Sequence, residues 1–451
     1  MKLAVVLPFI TLVACAGDAK DYGQDGAISV DGGHVHPDGG GTSFRVVQLA
    51  GCGQGGFQTA ISSNRLGKVS IATIALVNEK GQCSTMNGDA QVQRYAICYA
   101  EREASAQGYG VTTLDTQEYV SLMGVGVAVD DSGQAKVAYP GGPPARLRCG
   151  ASDLLVKTGR GASFGAPETV ATGSASNALV PGMESLCVQN VCQSGDATGF
   201  WPAVAIDPTG RPAVAFRDLH FGFAADDFAS SDVELARGPS WETLTVDVAR
   251  GGGSYLRLAF TPDGKPALVH YNGERDAKTS GIWLHRELAT GWMAKRLAAV
   301  RVGEQLGFAI SKSGRYAVAY YDEERARLML LESADGESFG EAQDVDTTGI
   351  TGLYPSLAFG EDGEPAIAYY RCNDFHPTDR SCDPNKDGLW LARRASGRWV
   401  RQQVLGRSGI HDGMYPAIAF SGSRAVVAFQ ERWFDQASGK SETGLSVATE
   451  E

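Results

Sequence analysis

The amino-acid sequence predicts an all-β protein, a β-propeller of seven four-stranded blades. Three observations carry this prediction: a hairpin-forming segment recurs along the chain, glycine makes up 57 of 451 residues, and helix-type apolar periodicity is almost absent. Glycine is usually roughly 7% of a protein, so the excess indicates many tight turns between short strands. Hydrophobic residues form 43% of the chain, which is enough for a globular core.

The recurring unit is a short apolar strand, a polar turn and a second apolar strand, which together predict a β-hairpin. A glycine with positive φ is expected in each turn, because glycine adopts that conformation without steric cost. The units, with their turn glycines, are 57–74 (Gly67), 124–141 (Gly133), 201–218 (Gly210), 255–272 (Gly264), 306–323 (Gly314), 354–371 (Gly363) and 415–432 (Gly422).

Two further strands follow each hairpin and complete a four-stranded antiparallel sheet. The clearest examples are 232–238 with 241–248, 326–333 with 338–345, and 388–395 with 398–405. A repeat of about 50 residues that carries four strands is typical of a propeller blade.

Closure of the ring is predicted from the two ends of the chain. The last unit has strands near 415–420, 425–430 and 444–449 but lacks a fourth, whereas 43–50 has a fourth-strand pattern. Pairing of 43–50 with 444–449 would close the ring and remove its exposed edges. The alternative is a six-bladed propeller in which the weak first unit serves as a cap.

Residues 1–15 predict an export signal, because a lysine precedes an apolar stretch too short for the roughly 20 residues of a membrane helix. The segment Leu12-Val13-Ala14-Cys15 resembles the bacterial lipobox. This resemblance implies lipidation of Cys15 and a lipid anchor, and Ala16 favours the outer membrane, on its periplasmic side or at the cell surface. The alternative is an ordinary secretory signal.

Residues 16–42 predict a disordered tether, and 43–451 the propeller. The tether is rich in glycine and aspartate and nearly free of large apolar groups, so it cannot offset its ordering entropy. The net charge of −12 argues against nucleic acid as a partner. We expect a monomer whose contact with the membrane is through the lipid anchor only.

The blades resemble those of the sialidase-like, Asp-box (BNR) propeller superfamily. The Asp-box pattern S-x-D-x-G-x-T-W lies between the third and fourth strands, and its nearest match here is 333–339, Ser-Ala-Asp-Gly-Glu-Ser-Phe. Other blades keep an aromatic residue at that place, namely Phe164, Trp241, Trp292 and Trp399. The resemblance implies a propeller and, as one alternative, a glycoside hydrolase or lyase. The Arg-Ile-Pro motif of those enzymes has no counterpart, since 44–47 retains the arginine alone.

Eight cysteines besides Cys15, together with the export signal, predict disulfides. Cys187 with Cys192 and Cys372 with Cys382 would each close a short loop. The remaining four are Cys52, Cys83, Cys98 and Cys149, and their three possible connectivities stay open. A metal–thiolate site is the alternative, although no CxxC pair occurs.

The long insertions of the propeller, 172–201, 218–231, 371–387 and 406–414, are all expected on one face, which we call the long-loop face. The ends of the second strands meet the same face and supply guanidinium, carboxylate and phenol groups. These groups suit hydrogen bonding and stacking with a sugar or a carboxylated ligand. The candidate binding residues are Arg217, Asp218, Tyr271, Asn272, Tyr321, Asp322, Tyr370, Arg371, Glu431 and Arg432. The alternative for each is an inter-blade hydrogen bond or a solvated loop charge.

Asp383, Asn385 and Asp387 match the start of a calcium-binding loop, D-x-N-x-D-G. Oxygen ligands at alternate positions suit a structural Ca²⁺ ion. Leu391 and Arg394 occupy the later ligand positions, so the alternative is an Asx-rich turn beside a disulfide. We expect no other cofactor. His220, His270, His376 and His411 fall on or near this face, but no spacing pattern predicts that they share a metal.

These observations favour a lipid-anchored extracytoplasmic propeller that binds a protein or a carbohydrate through its long-loop face without catalysis. No Gly-x-Ser-x-Gly, Walker or HExxH motif is present. A sialidase-like glycoside hydrolase or lyase is the alternative, so the sequence leaves open whether the protein is an enzyme.

Overall fold

The computed structural model describes residues 28–29, 42–85, 88–118, 124–142, 152–173, 197–219, 231–274, 277–376, 381–437 and 439–451. These residues form seven antiparallel blades arranged as a β-propeller, and they contain no helix. The described part of the chain therefore offers no helix long and apolar enough to cross a membrane. The predicted seven-bladed architecture is confirmed, and the six-bladed alternative is wrong.

Chain order follows spatial order from the axis outward in the first six blades, whereas the N-terminal strand supplies the outer strand of the seventh. The innermost strands are Gln54–Ser63, Gly126–Val129, Ala197–Ile206, Ser254–Phe260, Gly307–Ile310, Ile350–Phe359 and Ile410–Ser421. The second strands are Val69–Thr85, Ala135–Gly141, Pro212–Leu219, Pro266–Asn272, Tyr316–Asp322, Pro365–Cys372 and Arg424–Asp435.

The two outer layers complete each blade. The third strands are Gly88–Arg102, Asp153–Arg160, Ser231–Arg237, Gly281–Leu288, Arg327–Ser333, Gly388–Ala395 and Lys440–Glu450. The fourth strands are Gly110–Glu118, Ser163–Phe164 with Glu168–Ala171, Glu242–Asp247, Gly291–Ala298, Gln343–Asp346, Arg398–Leu405 and, for the seventh blade, Phe44–Gln48. A small ribbon of Phe375–His376 and Ser381–Cys382 lies in the insertion of the sixth blade.

The ring closes as the sequence predicts. Phe44–Gln48 pairs antiparallel with Lys440–Glu450, and Val47 lies opposite Val447. Ile28–Ser29 adds a short fifth strand to this blade, since the edge strand offers unpaired backbone groups. These two residues lie within the predicted tether. Residues 1–27 and 30–41, Cys15 included, lie outside the described residues, so the signal, the lipidation and the rest of the tether stay predictions.

Each of the seven blade-to-blade interfaces holds its own hydrophobic cluster. The second strands are almost wholly buried because a neighbouring blade covers each of their faces, as in Tyr316–Asp322. Small residues there allow close approach near the axis: Ala317 and Ala319 pack against Ile367 and Tyr369 of the next blade.

The seven predicted turn glycines all have positive φ, between +62° and +88°, which confirms the hairpin prediction. One outer strand begins later than predicted, at Gln343 rather than at residue 338. The delay arises because the Asp335 carboxylate accepts hydrogen bonds from the backbone N–H groups of Glu337 and Ser338 at 2.7 and 3.0 Å and holds the chain in a turn. The Asp-box resemblance of that turn stays a prediction.

Two disulfides join described residues, Cys52–Cys98 and Cys372–Cys382. The second was predicted, and the first settles part of the connectivity that the sequence left open. Cys187 and Cys192 lie outside the described residues, as does Cys149, so the 187–192 pair stays a prediction. Disulfides of this kind are typical of an oxidising, extracytoplasmic environment.

Candidate functional site

A residue with a left-handed backbone opens the innermost strand of six described blades. These residues, which we call the mouth ring, are Gln58, Trp201, Tyr255, Gln305, Tyr354 and Tyr415, with φ between 46° and 72°. Gly124 occupies the place in the second blade. Positive φ is uncommon outside glycine, costs on the order of 1–3 kcal/mol per residue, and concentrates at functional sites.

A β-bulge creates this conformation. In the sixth blade the ladder pairs Leu353 with Tyr370 and resumes only at Ser356, so Tyr354 is displaced from the pairing. Gly352 has φ +96°, and a Cβ atom there would lie 2.5 Å from the Leu328 side chain of the preceding blade. The glycine thus permits the two blades to approach closely at the bulge, and the bulge displaces the tyrosine from the strand pairing.

The same Gly-x-aromatic or Gly-x-Gln pattern recurs in six blades, at 56–58, 199–201, 253–255, 303–305, 352–354 and 413–415. None of these ring residues was among the predicted binding residues, which lie at the ends of the second strands. The regular spacing of the pattern was nevertheless a signal from which the mouth ring could have been predicted.

Side chains of the mouth ring meet around the propeller axis. The ring centroids of Trp201 and Tyr255 are 5.6 Å apart, and those of Tyr354 and Tyr415 are 4.4 Å apart. The Gln305 side-chain amide donates to Gln58 Oε1 at 3.2 Å, although the two residues belong to the fifth and first blades, which are not neighbours. This hydrogen bond therefore crosses the axis.

A water-accessible channel runs along that axis. The innermost strand Ser254–Phe260 is half-buried along most of its length, whereas the first five residues of its neighbour, Pro266–Asn272, are buried. The strand nearest the centre would be the more buried one in a solid core. Residual accessibility there, repeated in Ala197–Ile206, indicates open space between the blades.

Glu304 places a carboxyl group beside the mouth ring. It is hydrogen-bonded to the Tyr415 hydroxyl, and burial raises the pKa of the carboxyl group above its ordinary value. Burial likewise raises the pKa of Tyr415, which is also hydrogen-bonded to Tyr354. The arrangement supplies hydroxyl and carboxyl groups that can exchange hydrogen bonds with a ligand.

Three of the predicted binding residues join the mouth ring. The Arg217 guanidinium lies 5.3 Å from the Trp201 ring centroid, and burial lowers its pKa to about 9. Tyr271 stacks on Tyr255 with centroids 6.2 Å apart, and Tyr370 lies 6.3 Å from Tyr354. The ends of the second strands therefore reach the same site as the starts of the innermost strands.

The three predicted arginines contact different groups. Arg217 donates to Ser254 Oγ at 3.1 Å, whereas Arg371 lies over the Trp390 ring at 4.3 Å. Arg432 is exposed and donates to Ser441 Oγ at 2.9 Å. Their contacts do not form the shared arginine cluster that a sialidase-like carboxylate site would need.

Other predicted residues hold loops in place. The Asn272 side chain donates to the Arg250 carbonyl at 2.9 Å, and Asp322 Oδ1 accepts the backbone N–H of Glu324 at 3.0 Å. Tyr321 is buried against Gly303.

Glu431 lies buried with its Oε1 2.6 Å from an Arg407 nitrogen, and Asp218 pairs in the ladder with Asp232. The contact of Glu431 joins the seventh blade to the loop before it, whereas the pairing of Asp218 lies within the third blade. A binding role for these residues stays a prediction.

The predicted calcium ligands make hydrogen bonds with different partners. Asp387 is buried, accepts a hydrogen bond from Tyr370, and lies 2.5 Å from His411 Nδ1. Asp383 instead accepts the backbone and side-chain N–H groups of Asn385, both at 3.0 Å. The calcium site stays a prediction, and the Asx-rich turn describes the observed contacts.

A cluster that the sequence did not predict joins the third and fourth blades. The Nε2 atoms of His270 and His285 lie 3.1 Å apart, and each lies within 3.4 Å of Asp247 Oδ2. These atom types could ligate a metal. However, the Gly253 N–H donates to His270 Nδ1 at 3.1 Å, which leaves the proton of the neutral ring on Nε2. We therefore describe the group as a hydrogen-bonded cluster.

Comparison with known proteins assigns no function to this chain. No protein-family model matches the chain, and no curated protein matches it. Solved structures that are similar include a protein of unknown function from Dyadobacter fermentans, with 11% identity, a TM-score of 0.47 and coverage of 91% of this chain and 98% of that one. The Hadza microbial sialidase Hz136 has 11% identity, a TM-score of 0.45 and coverage of 90% and 95%.

The polysaccharide lyase PL25 ulvan lyase has 12% identity, a TM-score of 0.46 and coverage of 78% of this chain and 81% of that one. At these identities and TM-scores, the likenesses concern the propeller architecture alone.

Proposed function

We propose that the protein binds a carbohydrate at the mouth ring without transforming it. The observation that carries the proposal is the set of four aromatic side chains, Trp201, Tyr255, Tyr354 and Tyr415, held around a water-accessible axis by strained backbone. Aromatic faces offer large apolar contact with the C–H faces of a sugar, while Arg217 and Glu304 offer charged hydrogen-bonding groups.

The shape of the site favours a carbohydrate over a protein partner. A stable protein interface covers about 800 Å² on each side, usually over a broad surface. The mouth ring is instead a compact group of four aromatic side chains with a few polar groups, which is a usual composition for a small-ligand site. Binding of a protein partner at the mouth ring would therefore contradict the proposal.

The proposal also includes export and lipid anchoring at the outer membrane. Its support is the lipobox-like segment that ends at Cys15, together with the two disulfides. Metabolic labelling with a fatty acid should mark the wild-type protein, and Cys15→Ala should abolish the label and release the protein from the membrane fraction. Labelling that survives Cys15→Ala would contradict the anchor.

A glycan array with purified wild-type protein tests carbohydrate binding. Trp201→Ala should weaken binding at least about tenfold, because it removes an aromatic face worth about 1.4 kcal/mol or more. Trp292→Ala is the matched control, since Trp292 lies on the outer strand Gly291–Ala298 and should leave affinity unchanged. Absence of binding by folded wild-type protein, or binding of a protein from a defined panel in its place, would overturn the proposal.

Glycoside hydrolase or lyase activity is the second candidate, favoured by a different observation. Asp387 holds the His411 ring through Nδ1 at 2.5 Å, which leaves Nε2 of a partly exposed imidazole to accept or donate a proton. Tyr370, hydrogen-bonded to the same carboxylate, connects this pair to the mouth ring. Polysaccharides that bind on the array should then be cleaved, and His411→Gln should abolish cleavage while binding persists. Bound polysaccharides that remain intact would contradict this candidate.

A further inference from the structure

Arg257 is the one cationic side chain that the described innermost strands carry between the mouth ring and the hairpin turns. It lies two residues after Tyr255 and opposite Val269 of the second strand. The equivalent residues of the other blades are all small: Ala60, Gly126, Ala203, Gly307, Ser356 and Ala417. Each of these six lies opposite an alanine of its own second strand.

In this layer of the channel, the lining residue is therefore small in every blade except the fourth, where it is Arg257. Arg257 is half-buried, as are its neighbours Leu258 and Ala259, although the innermost strands of both neighbouring blades flank this strand. Ala259 packs toward the fifth blade. Alternation along the strand puts Arg257 on that same side, where the equivalent residue of the fifth blade is Gly307.

The guanidinium has no acidic partner among the described residues. Its Nη1 donates to the carbonyl of Leu256, the preceding residue, at 2.9 Å. Burial lowers its pKa to about 10 and no carboxylate acts on it, so the group is cationic at neutral pH. Glu304, the acid beside the mouth ring, is hydrogen-bonded to Tyr415.

A half-buried cation without a counter-charge is unfavourable, because it loses part of its hydration and gains no carboxylate in return. A guanidinium also has five N–H donors in a planar fork, of which the contact with Leu256 uses one nitrogen. The remaining donors, in a layer where the equivalent residues of the other six blades are all small, suit a compact anion.

We propose that the channel binds a small anion, a halide ion or a single carboxylate group, at Arg257. The carboxylate can be that of a free acid or that of a ligand that enters through the mouth ring. The site is distinct from the mouth ring, since Arg257 lies two residues further along the innermost strand than Tyr255.

Chloride-35 NMR relaxation with the full chain tests the proposal. Chloride that exchanges at Arg257 should broaden the bulk chloride signal in the presence of wild-type protein, and Arg257→Gln should lose that broadening. Arg65→Gln is the matched control, because Arg65 is an exposed arginine in the turn of the first blade, and it should behave as wild type. Equal broadening by wild type and Arg257→Gln would overturn the proposal.

Acetate then separates the two sources of the anion. Loss of the broadening when acetate is added supports a site open to carboxylates, whereas broadening that persists supports a site for halides alone. A bromide-soaked crystal of the wild-type protein keeps the proposal testable if Arg257→Gln fails to fold. An anomalous peak within hydrogen-bonding distance of the Arg257 guanidinium is expected, and a channel without one would contradict the site.

Discussion

Asp247 is the acceptor on which the imidazole cluster between the third and fourth blades depends. Its Oδ2 atom lies 3.3 Å from His270 Nε2 and 3.4 Å from His285 Nε2. Although burial opposes ionisation, hydrogen bonds from the two imidazoles lower the pKa of this carboxyl group below its usual range. The carboxylate thus satisfies two buried donors at once.

Asp247→Asn should lower the free energy of unfolding by about 1–3 kcal/mol, because an amide leaves a buried imidazole donor without its charged acceptor. Urea denaturation at pH 7 measures the change. Asp263→Asn is the control, since that carboxylate belongs to an exposed pair with Lys265, and it should change stability by less than about 0.5 kcal/mol. Equal effects of the two substitutions would contradict the account.

His270 makes stability sensitive to acid. Burial lowers the pKa of its imidazole below the ordinary 6.5, so the unfolded chain binds this proton at a pH where the folded chain does not. The free energy of unfolding should therefore decrease as the pH falls below about 6.5. Below about pH 3.8 the lowered pKa of Asp247 adds a further loss of the same sign.

Urea denaturation between pH 7.5 and 5, a range chosen around the ordinary histidine pKa of about 6.5, checks this dependence. His270→Asn should flatten the curve, and His376→Asn provides a histidine outside the cluster for comparison. A curve that keeps the wild-type slope in His270→Asn would show that other groups cause the acid sensitivity.

Alignment of strand ends located some residues near the mouth ring, although their role in binding stays a prediction. Arg217, Tyr271 and Tyr370 were predicted to share one face, and they contact the mouth ring. The cluster of Asp247, His270 and His285 was not predicted, because its members come from three strands of two blades. Only the packing of the blades brings them together. Trp201 and the tyrosines of the mouth ring were not predicted, because a bulge turns them toward the axis. The alternation of apolar and polar residues does not reveal such a bulge.

At the level of single strands, the bulge before each innermost strand depends on its leading glycine. Gly352 combines φ +96° with a position where a Cβ atom would meet Leu328 Cβ at 2.5 Å. Gly363, in the turn after the same strand, has φ +75° but nothing within 4 Å of the corresponding position. The two glycines therefore separate backbone strain from steric exclusion.

Gly352→Ala should lower the free energy of unfolding by about 2–4 kcal/mol, through both strain and overpacking. Gly363→Ala, which meets strain alone, should cost about 1 kcal/mol. Urea or thermal denaturation of the two variants measures the difference. If Gly363→Ala were the more damaging substitution, the close approach of blades at Gly352 would not be what holds the bulge.

Strand positions were predictable wherever turns follow ordinary hairpin chemistry. The sixth blade's third and fourth strands, Gly388–Ala395 and Arg398–Leu405, begin and end where the sequence places them. The outer strand of the fifth blade does not, because the Asp335 side chain satisfies backbone donors that would otherwise pair in a ladder. A local side-chain hydrogen bond thus displaces a strand by several residues.

On the scale of the whole molecule, the fold depends on closure by the N-terminal strand. Val46 lies in the cluster between the sixth and seventh blades, and Val47 in the cluster between the seventh and first. One short strand therefore seals two interfaces of the ring.

Val46→Ala and Val47→Ala should each lower the free energy of unfolding by about 1.5 kcal/mol or more, since each removes two buried methyl groups. Val248→Ala is the control, because its side chain is 74% exposed and should contribute less than about 0.5 kcal/mol. Denaturant unfolding compares the three variants. A control that equals either buried valine would contradict the role of closure.

The sequence period predicted the number of blades and the closure, because both follow from counting repeats. The channel and the side chains that line it were not predictable in this way. Their geometry depends on how closely seven blades approach the axis, and each blade contributes only one or two residues to that layer.

The central claim is that the mouth ring contacts the ligand, and fluorine-19 NMR tests it most directly. The chain has seven tryptophans, which can be replaced by 5-fluorotryptophan and assigned by single substitutions to phenylalanine. Titration with an oligosaccharide that binds on the array should shift the Trp201 signal and leave the signals of Trp292 and Trp399, on outer strands, in place. A titration that shifts the outer tryptophans while Trp201 stays unchanged would contradict the account.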